Sequence, residues 1–477
     1  MLPQHLDVVP QPMGDYQPVD QWQMHINALF HALRGHQAQE YYQTFASADY
    51  RLAHALAADY VERVRARAKT EVPDGRARPL VIQEWGCGQG NLAACFLAHL
   101  KALDPAGAIY PRVRYVLVDP REKALATALA HPDLSAHRDR VETLCASATD
   151  LSMVEAGSVD RILCNELWTE LPTKLVAKNR GEVEEEHVRP NLSEERHARI
   201  EDWSGFLRAF AGKDVARLQP ESSFFEDLIW EREYHQVDWK EISYRKTIAE
   251  FLKPFDDEVL IPLNLGAFAT VKEALRLLAA DAIGFSSFDA GATEFDVLNT
   301  REKPCSGHFG GLYSVMVNFA LIEAVARHLG ATSIEIEPQR EFIGRNLNAT
   351  VLTLTDLLAT HPDLMHLGKW QQDRLVLQTL DALNRHYRSP YRRILQFPLA
   401  PDMPDSERQA LQAVIDSFRP DGVPHTAAYL TESEVMSAMP DLEGIGYERE
   451  AVTMAMTAPP AGIDYTHWTC GPVPPKA

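Results

Sequence analysis

Cysteine is scarce in this sequence and never closely paired. The cysteines are Cys87, Cys95, Cys145, Cys164, Cys305 and Cys470. No two of them form a Cys-x-x-Cys pair, which is the spacing typical of zinc sites and redox motifs. We therefore expect reduced thiols, as in a cytoplasmic protein, with neither a disulfide framework nor a bound metal.

Long apolar runs and early positive charges are also absent. No stretch of eighteen uncharged apolar residues occurs, so no membrane-spanning helix is predicted. No Lys or Arg precedes Arg34, which argues against a secretory signal and against an Arg-rich transit peptide. With 45% apolar and 24% charged residues, the composition predicts a soluble globular protein.

Basic residues are fewer than acidic residues in this sequence. The chain has 47 Lys and Arg against 67 Asp and Glu, a net charge of −20. Such a field repels phosphate backbones, which excludes nucleic acid as the expected partner and favours a basic protein or another cationic substrate. The alternative is that the acidic charge serves only solubility. The sequence does not indicate an oligomeric state.

At 477 residues the chain is long enough for several structural units. Shifts in composition and periodicity suggest five segments: an N-terminal arm and helices at 1–78, the first half of a core at 79–177, a charged insertion that could form a lid or an acceptor region at 178–259, the second half of the core with further helices at 260–400, and a small C-terminal module at 401–477.

Short apolar runs alternate with amphipathic helices through the middle of the chain. "LVIQEW" and "VRYVLVD" are predicted strands, and "NLAACFLAHLKAL" lies between them as a predicted helix. This alternation predicts an α/β fold with a mostly parallel, Rossmann-like sheet and helices on both faces. In the C-terminal module we expect two helices followed by two strands, "IGYERE" and "AVTMAMTA", as in a small winged-helix-like α+β unit.

The stretch "VIQEWGCGQGN" places an acid and three glycines directly after a predicted strand. Glu84 precedes Gly86, Gly88 and Gly90, which occupy alternate positions. Glycines there let the backbone approach a ligand closely before the next helix begins. The dinucleotide motif G-x-G-x-x-G is not matched, because Asn91 stands three residues after Gly88. The acid favours a cationic ligand over a pyrophosphate.

The next strand ends in a second acid. Asp119 in "VLVDP" can accept hydrogen bonds from both ribose hydroxyls of a nucleoside. Together with Glu84 it predicts S-adenosylmethionine, which carries a sulfonium, an ammonium and no phosphate. A dinucleotide site and a plain structural turn are the alternatives. After the third strand, Ser147 and the backbone N–H of Ala148 are candidate contacts to the adenine, although both also suit an ordinary loop.

A further pair of acids follows the predicted fourth strand, "RILCN". Asn165 and Glu166 lie at its end and Glu170 follows four residues later, so a helical continuation would place both glutamates on one face. Paired carboxylates could hold a guanidinium and accept its proton during methyl transfer, which hints at a guanidinium or amine as the methyl acceptor. The alternative is a capping or surface pair.

These segments resemble the MidA-like family of class I S-adenosylmethionine-dependent methyltransferases. The resemblance rests on "QEWGCGQGNL", "VLVDP" and "CNELWTELPTKLVAKNRGEVEEEHV", and it spans roughly residues 81–346. The glycine loop is generic to the class, whereas Asn165, Glu166, Leu171 and Pro172 match the family's N-E-F-F-D-A-L-P segment, with Glu170 at the place of its Asp. The resemblance implies a class I methyltransferase fold and an activity similar to protein arginine methylation.

The sequence departs from that family at the expected acceptor side. The N-terminal G-D-F-x-T-A-P-E segment is replaced by "EYYQTFASADYRLAHALA", the family's I-D-Y-G strand end by "FSSFDAG", and an Asp by Asn318. These changes leave the cofactor prediction intact and the methyl acceptor open. A small-molecule N- or O-methyltransferase and a non-catalytic assembly factor with the same fold are the competing hypotheses.

Overall fold

A computed structural model describes residues 10–35, 43–70, 79–392, 397, 399, 403–425, 427–459 and 461–472. The start of the predicted N-terminal arm lies outside these residues. So do residues 71–78, at the end of the predicted N-terminal segment, and several positions between 393 and 402, around the boundary predicted at 400/401. Within the described part of the chain, no helix combines the length and the apolar character needed to cross a lipid bilayer.

The strands of the described residues are, in chain order, β1 Gln11–Pro12, β2 Gln17–Pro18, β3 Leu80–Trp85, β4 Val113–Asp119, β5 Val141–Cys145, β6 Arg161–Asn165, β7 Lys174–Asn179, β8 Glu182–Leu192, β9 Leu228–Gln236, β10 Ile261–Leu263, β11 Gly284–Ala292, β12 Ser306–Phe309, β13 Leu312–Val315, β14 Val317–Asn318, β15 Thr332–Pro338, β16 Val351–Thr353, β17 Tyr429–Thr431 and β18 Asp464–Gly471.

The α-helices are α1 Val19–Arg34, α2 Phe45–Ala48, α3 Arg51–Thr70, α4 Asn91–Leu103, α5 Glu122–Leu129, α6 Glu194–Ala198, α7 Trp203–Gly212, α8 Val215–Leu218, α9 Arg245–Leu252, α10 Leu265–Leu277, α11 Phe295–Leu298, α12 Phe319–His328, α13 Gln339–Leu347, α14 Leu354–Ala359, α15 Lys369–Asn384, α16 Asp405–Ser417, α17 Glu432–Gly444 and α18 Arg449–Thr457. Short 3-10 helices include Trp168–Glu170, directly after β6.

The central sheet confirms the predicted α/β fold. Its strand order is β15-β18-β11-β6-β3-β4-β5, with β14 beside β11. All neighbouring pairs from β11 to β5 are parallel. Along β4, Tyr115 and Leu117 belong to the apolar cluster on one face, whereas Val116 and Val118 belong to the cluster on the other. Burial on both faces explains why β4 is an almost unbroken apolar run.

The strand β18 completes this sheet from the far end of the chain. It lies between β11 and β15 and is antiparallel to both. The sequence pattern assigned it to a separate C-terminal module at 401–477. Trp468 is fully buried in the core beside Trp168 and Phe285. Residues 464–471 are therefore part of the central sheet.

Two predictions for the C-terminal segment are wrong. "AVTMAMTA" lies mostly within helix α18, and "IGYERE" forms no strand, so the winged-helix-like hairpin is not present. Only Val452 of α18 is buried, and Met454 on the same helix is 69% exposed. Ala and Met have high helix propensity, and that preference outweighs the short apolar alternation that suggested a strand.

The C-terminal helices share one hydrophobic cluster with earlier helices. Leu375 and Leu383 of α15 pack in the same cluster as Leu411 of α16 and Val435 of α17. Packing thus crosses residue 401, where the sequence suggested a boundary. The segment between the two halves of the central sheet contributes to a second, antiparallel sheet in which β8 pairs with β7 and β9.

Candidate cofactor and methyl-acceptor site

The strand order reverses its direction of growth at β3. From β3 the chain adds β4 and then β5 on one side, and it returns to add β6 on the other. In open parallel sheets, ligands bind in the crevice outside the carboxyl ends of the strands at such a switch point. The carboxyl ends of β3, β4 and β6 carry Glu84, Asp119 and Asn165, so the predicted site residues meet at this crevice.

A cavity of about 450 Å³ opens there, within the size range of small-molecule sites. All of the sequence-predicted site residues except Gly90 line it: Glu84, Gly86, Gly88, Asp119, Ser147, Ala148, Asn165, Glu166 and Glu170. Helix α1 and the short segment around α2 also contribute to its wall. The structure therefore brings the cofactor candidates and the acceptor candidates into one space.

The three glycines after β3 serve different purposes. All have left-handed backbone conformations, with φ of +73° at Gly86, +52° at Gly88 and +82° at Gly90. A Cβ atom on Gly90 would stand 2.8 Å from the carbonyl oxygen of Ala128, so this glycine permits close packing of the loop on α5. A Cβ on Gly88 would meet nothing within 4 Å. Gly88 thus leaves open space on the cavity side.

Glu84 is a buried carboxyl that no described cation neutralises. Its Oε2 accepts a hydrogen bond from the Tyr115 hydroxyl at 2.7 Å. Its Oε1 makes no hydrogen bond to the described residues. Burial raises the pKa of Glu84 to about 8, against the opposing effect of the Tyr115 hydrogen bond. A buried carboxyl of this kind, on a cavity wall, is well suited to meet a cationic group.

Asp119 is already engaged by a neighbour. Its Oδ1 accepts hydrogen bonds from the backbone N–H and the Nε of Arg121, both at 2.9 Å, and its Oδ2 accepts from Arg121 Nη2 at 3.1 Å. The guanidinium is 42% exposed. A ribose would have to share the carboxylate with Arg121 or displace it. Arg121 was not among the predicted site residues, although it stands only two residues after Asp119 in the sequence.

Ser147 stabilises its own turn. Its Oγ lies 2.8 Å from the Thr149 hydroxyl and accepts a hydrogen bond from the Thr149 N–H at 3.3 Å. Ala148 is buried beside it on the cavity wall. Both residues line the cavity, and the hydrogen bonds of Ser147 are those of an ordinary turn residue, so the adenine contact stays a prediction.

Asn165 is the last residue of β6, and Glu166 follows it directly. Glu166 has a φ of +47°, a left-handed conformation that is uncommon for a residue other than glycine. Its Oε1 accepts hydrogen bonds from the Phe45 N–H at 3.0 Å and from Asn165 Nδ2 at 3.4 Å. The Oδ1 of Asn165 is buried without a hydrogen-bond partner among the described residues. An orphan acceptor oxygen on a cavity wall suits an N–H or O–H donor on a ligand.

Glu166 and Glu170 do not share a helical face. The chain between them forms one 3-10 turn, Trp168–Glu170, instead of an α-helix. Glu170 Oε2 lies 2.9 Å from the Nε2 of His31 on α1. The predicted pair of carboxylates on one helical face is therefore not formed. The Glu170 carboxylate instead contacts His31, which was not among the predicted site residues.

Polar side chains of helix α1 hydrogen-bond to the backbone beside the cavity. Gln23 donates to the Thr169 carbonyl at 2.9 Å and accepts from the Thr173 N–H at 3.0 Å. One turn later, Asn27 exchanges hydrogen bonds of 3.0 and 2.8 Å with the backbone of Tyr313. His31 follows at the same spacing. The pattern Q-x-x-x-N-x-x-x-H was the available signal, because residues four apart on a helix share a face.

Comparisons with known proteins give only distant likenesses. No family model matches the chain, and no curated protein matches it. Among solved structures, a methyl transferase candidate from Burkholderia thailandensis bound to S-adenosyl-homocysteine has 18% identity and a TM-score of 0.46, over 72% of this chain and 78% of that one. A putative sarcosine dimethylglycine methyltransferase from Galdieria sulphuraria has 8% identity and a TM-score of 0.31, over 87% and 84%.

Likenesses this distant do not by themselves establish what the chain binds. The strand order and the position of the cavity are properties of the chain's own structure. The described residues form an α/β fold with a mostly parallel central sheet and a cavity at the carboxyl ends of β3, β4 and β6.

Proposed function

We propose that the chain is an S-adenosylmethionine-dependent methyltransferase. The observation that carries the proposal is the combination, in one cavity, of the buried Glu84 carboxyl, the open space over Gly88 and the Asp119 carboxylate on the neighbouring strand. This set fits a nucleoside that carries positive charge and no phosphate. When bound, the cofactor supplies an electrophilic methyl group on a sulfonium.

Each residue of the cavity has a separate proposed task. Glu84 holds the cationic methionine end, Gly88 lets the backbone approach it, and Asp119 accepts hydrogen bonds from the ribose. Ser147 and Ala148 flank the adenine. The site needs orientation of the reacting groups above all, because methyl transfer from sulfonium is an in-line displacement.

The methyl acceptor that we propose is an arginine side chain of a basic protein. The unpartnered Oδ1 of Asn165 can accept a hydrogen bond from a guanidinium, and the carboxylates of Glu166 and Glu170 supply negative charge on the same wall. The net charge of −20 favours association with a basic protein.

A small molecule is the second candidate methyl acceptor. Apolar side chains, including Met24 of α1, Leu167 and Leu171, line part of the cavity beside the acceptor residues. An apolar acceptor that carries an N–H or O–H group would fit such walls. The two candidates differ in the size of the methylated product.

Two measurements test the proposal. Calorimetry of the full chain should give binding of both S-adenosylmethionine and S-adenosylhomocysteine. Incubation of the protein with methyl-tritiated cofactor and a cell extract should then label proteins at arginine; label in the small-molecule fraction would select the second acceptor. If neither cofactor form binds, the methyltransferase proposal fails. Binding without any transfer would point to a non-catalytic assembly factor.

Cofactor affinity should depend on pH through Glu84. Its pKa lies above the ordinary 4.5, so the carboxyl favours the folded state most below that value, and this contribution is lost as pH rises through about 8. A cationic ligand favours the ionised form. We therefore expect affinity to rise by up to about tenfold per pH unit from about pH 6 to pH 8, with proton release on binding. Calorimetry in buffers of different ionisation enthalpy measures both effects.

The matched control for this pH dependence is Glu84→Gln, which keeps the shape and removes the titration. Its affinity should vary little over the same range of pH. An equal pH dependence in the variant and in the wild-type protein would show that another group is responsible.

Removal of the Arg121 side chain should strengthen cofactor binding. The Arg121→Ala variant leaves the Asp119 carboxylate free of the ion pair that a ribose must share or displace. The Asp119 side chain is buried, but the Arg121 side chain is 42% exposed and its charge is screened by solvent, so we expect a gain of up to about fivefold in affinity. Titration calorimetry with S-adenosylhomocysteine measures it. Weaker binding would instead mean that Arg121 itself contacts the ligand.

A further inference from the structure

His31 lies on the cavity wall near Glu170, and two sets of contacts fix its position. The amides of Gln23 and Asn27, on the two preceding turns of α1, bind backbone groups and fix the helix. Glu170 then holds the imidazole at 2.9 Å. Both side chains of this His31–Glu170 pair are partly buried, with 23% and 19% of their surface exposed.

The contact with Glu170 determines which ring nitrogen carries the proton. A carboxylate only accepts hydrogen bonds, so Nε2 of the neutral imidazole must be the donor and Nδ1 keeps its lone pair. Among the described residues, no hydrogen bond to this Nδ1 occurs. The pair therefore presents a basic nitrogen whose partner nitrogen is oriented by an acid, the arrangement of a general base.

The methyl acceptor must lose a proton in the reaction, and a group on the cavity wall has to accept it. A guanidinium stays protonated in water, and Glu170 is already engaged. Glu166 Oε1 accepts hydrogen bonds from Phe45 and Asn165. His31 is the histidine on the cavity wall, among the described residues, that can accept this proton.

We infer that His31 is the catalytic residue that takes the proton from the methyl acceptor, and that Glu170 is a positioning residue that orients its ring. The inference rests on the proposed methyltransferase function. The acceptor atom donates its lone pair to the methyl carbon, the carbon–sulfur bond breaks with its electron pair remaining on sulfur, and the proton of the acceptor passes to Nδ1 of His31. The imidazolium that forms is stabilised by Glu170.

The tautomer of His31 is the first test, and it needs neither cofactor nor acceptor. Nitrogen-15 NMR of the histidine-labelled full chain, with His31→Gln to assign the signal, should show Nε2 protonated and Nδ1 unprotonated in the neutral ring. Glu170→Gln should give a mixture of tautomers. The matched control is Glu233→Gln, which removes the carboxylate from the exposed His235–Glu233 pair and should leave the His31 signal unchanged. A wild-type ring protonated at Nδ1 would overturn the inference.

Methyl transfer is the second test, with tritiated S-adenosylmethionine and extract proteins as the probe. His31→Ala should lower kcat by at least about 100-fold, because a positioned base contributes 10²–10⁴. Its binding of S-adenosylhomocysteine should be unchanged, and added imidazole should restore part of the rate. His25→Ala on the same helix, whose imidazole binds the Phe210 carbonyl, is the control and should retain the rate.

The outcomes separate this inference from the proposed function. Full turnover by His31→Ala, or a loss that imidazole does not relieve, would overturn the role of His31 while the methyltransferase proposal stands. If the wild-type chain binds neither form of the cofactor, the proposed function fails, and the inference about His31 fails with it.

Discussion

Replacing Gly88 by asparagine is expected to abolish cofactor binding while the fold is retained. Asparagine tolerates the left-handed conformation that Gly88 adopts, with φ of +52°, so the backbone is little strained. Its side chain would enter space that meets no protein atom within 4 Å of a Cβ. If the cofactor occupies that space, the asparagine side chain displaces it. A displacement that costs the cofactor two of its hydrogen bonds to the protein lowers the affinity by roughly 100-fold or more. Calorimetry with S-adenosylhomocysteine measures the loss.

Gly157 offers a matched control for this substitution. It is also exposed and left-handed, with φ of +69°, and a Cβ there would likewise meet nothing within 4 Å. It does not line the cavity. Gly157→Asn should therefore leave the affinity unchanged, and both variants should melt within a few degrees of the wild-type protein. Equal affinities of Gly88→Asn and the wild-type protein would mean that the cofactor does not approach this loop.

Replacing Asp119 by alanine should weaken cofactor binding by about 100-fold or more, since a hydrogen bond to a charged group is worth about 1.5–3 kcal/mol and a ribose can donate two. The folded state should tolerate the change, because the Arg121 side chain is 42% exposed and can be solvated by water. Titration of the variant with S-adenosylmethionine gives the change in affinity, and thermal melting checks the fold.

The control for Asp119→Ala is Glu142→Ala on the neighbouring strand β5. Glu142 also accepts two hydrogen bonds from one arginine, Arg114, but both side chains are exposed and lie away from the cavity. Its removal should leave cofactor affinity unchanged. Comparable losses in the two variants would indicate a general electrostatic effect of removing an acid instead of a ribose contact.

The convergence of Glu84, Gly88 and Asp119 on one cavity could be predicted from the sequence because its signals are local. In a parallel sheet the carboxyl ends of the strands share one edge, so an acid at the end of "LVIQEW" and another at the end of "VRYVLVD" must lie near each other. The alternation of apolar runs and helices specified the sheet in the same way. Glu84, Gly88 and Asp119 were thus placed together without knowledge of any long-range contact.

The acceptor side could not be predicted in this way because its contacts join distant parts of the chain. His31 and Glu170 are separated by 139 residues, and Phe45 reaches Glu166 across 121. A polar stripe on α1 would ordinarily indicate a solvent-exposed face. Only the packing of α1 against the turn after β6 shows that this stripe binds the interior and that Glu170 is paired.

The sequence by itself determined the class of fold and the two strand-end carboxylates that line the cavity, because strand periodicity, the glycine loop and strand-end acids act over a few residues. The tertiary structure decided that β18 enters the central sheet and that α1 brings His31 to Glu170. Pairing of this kind depends on which surfaces meet after the chain has folded, and a local pattern such as the polar stripe on α1 does not specify its partner.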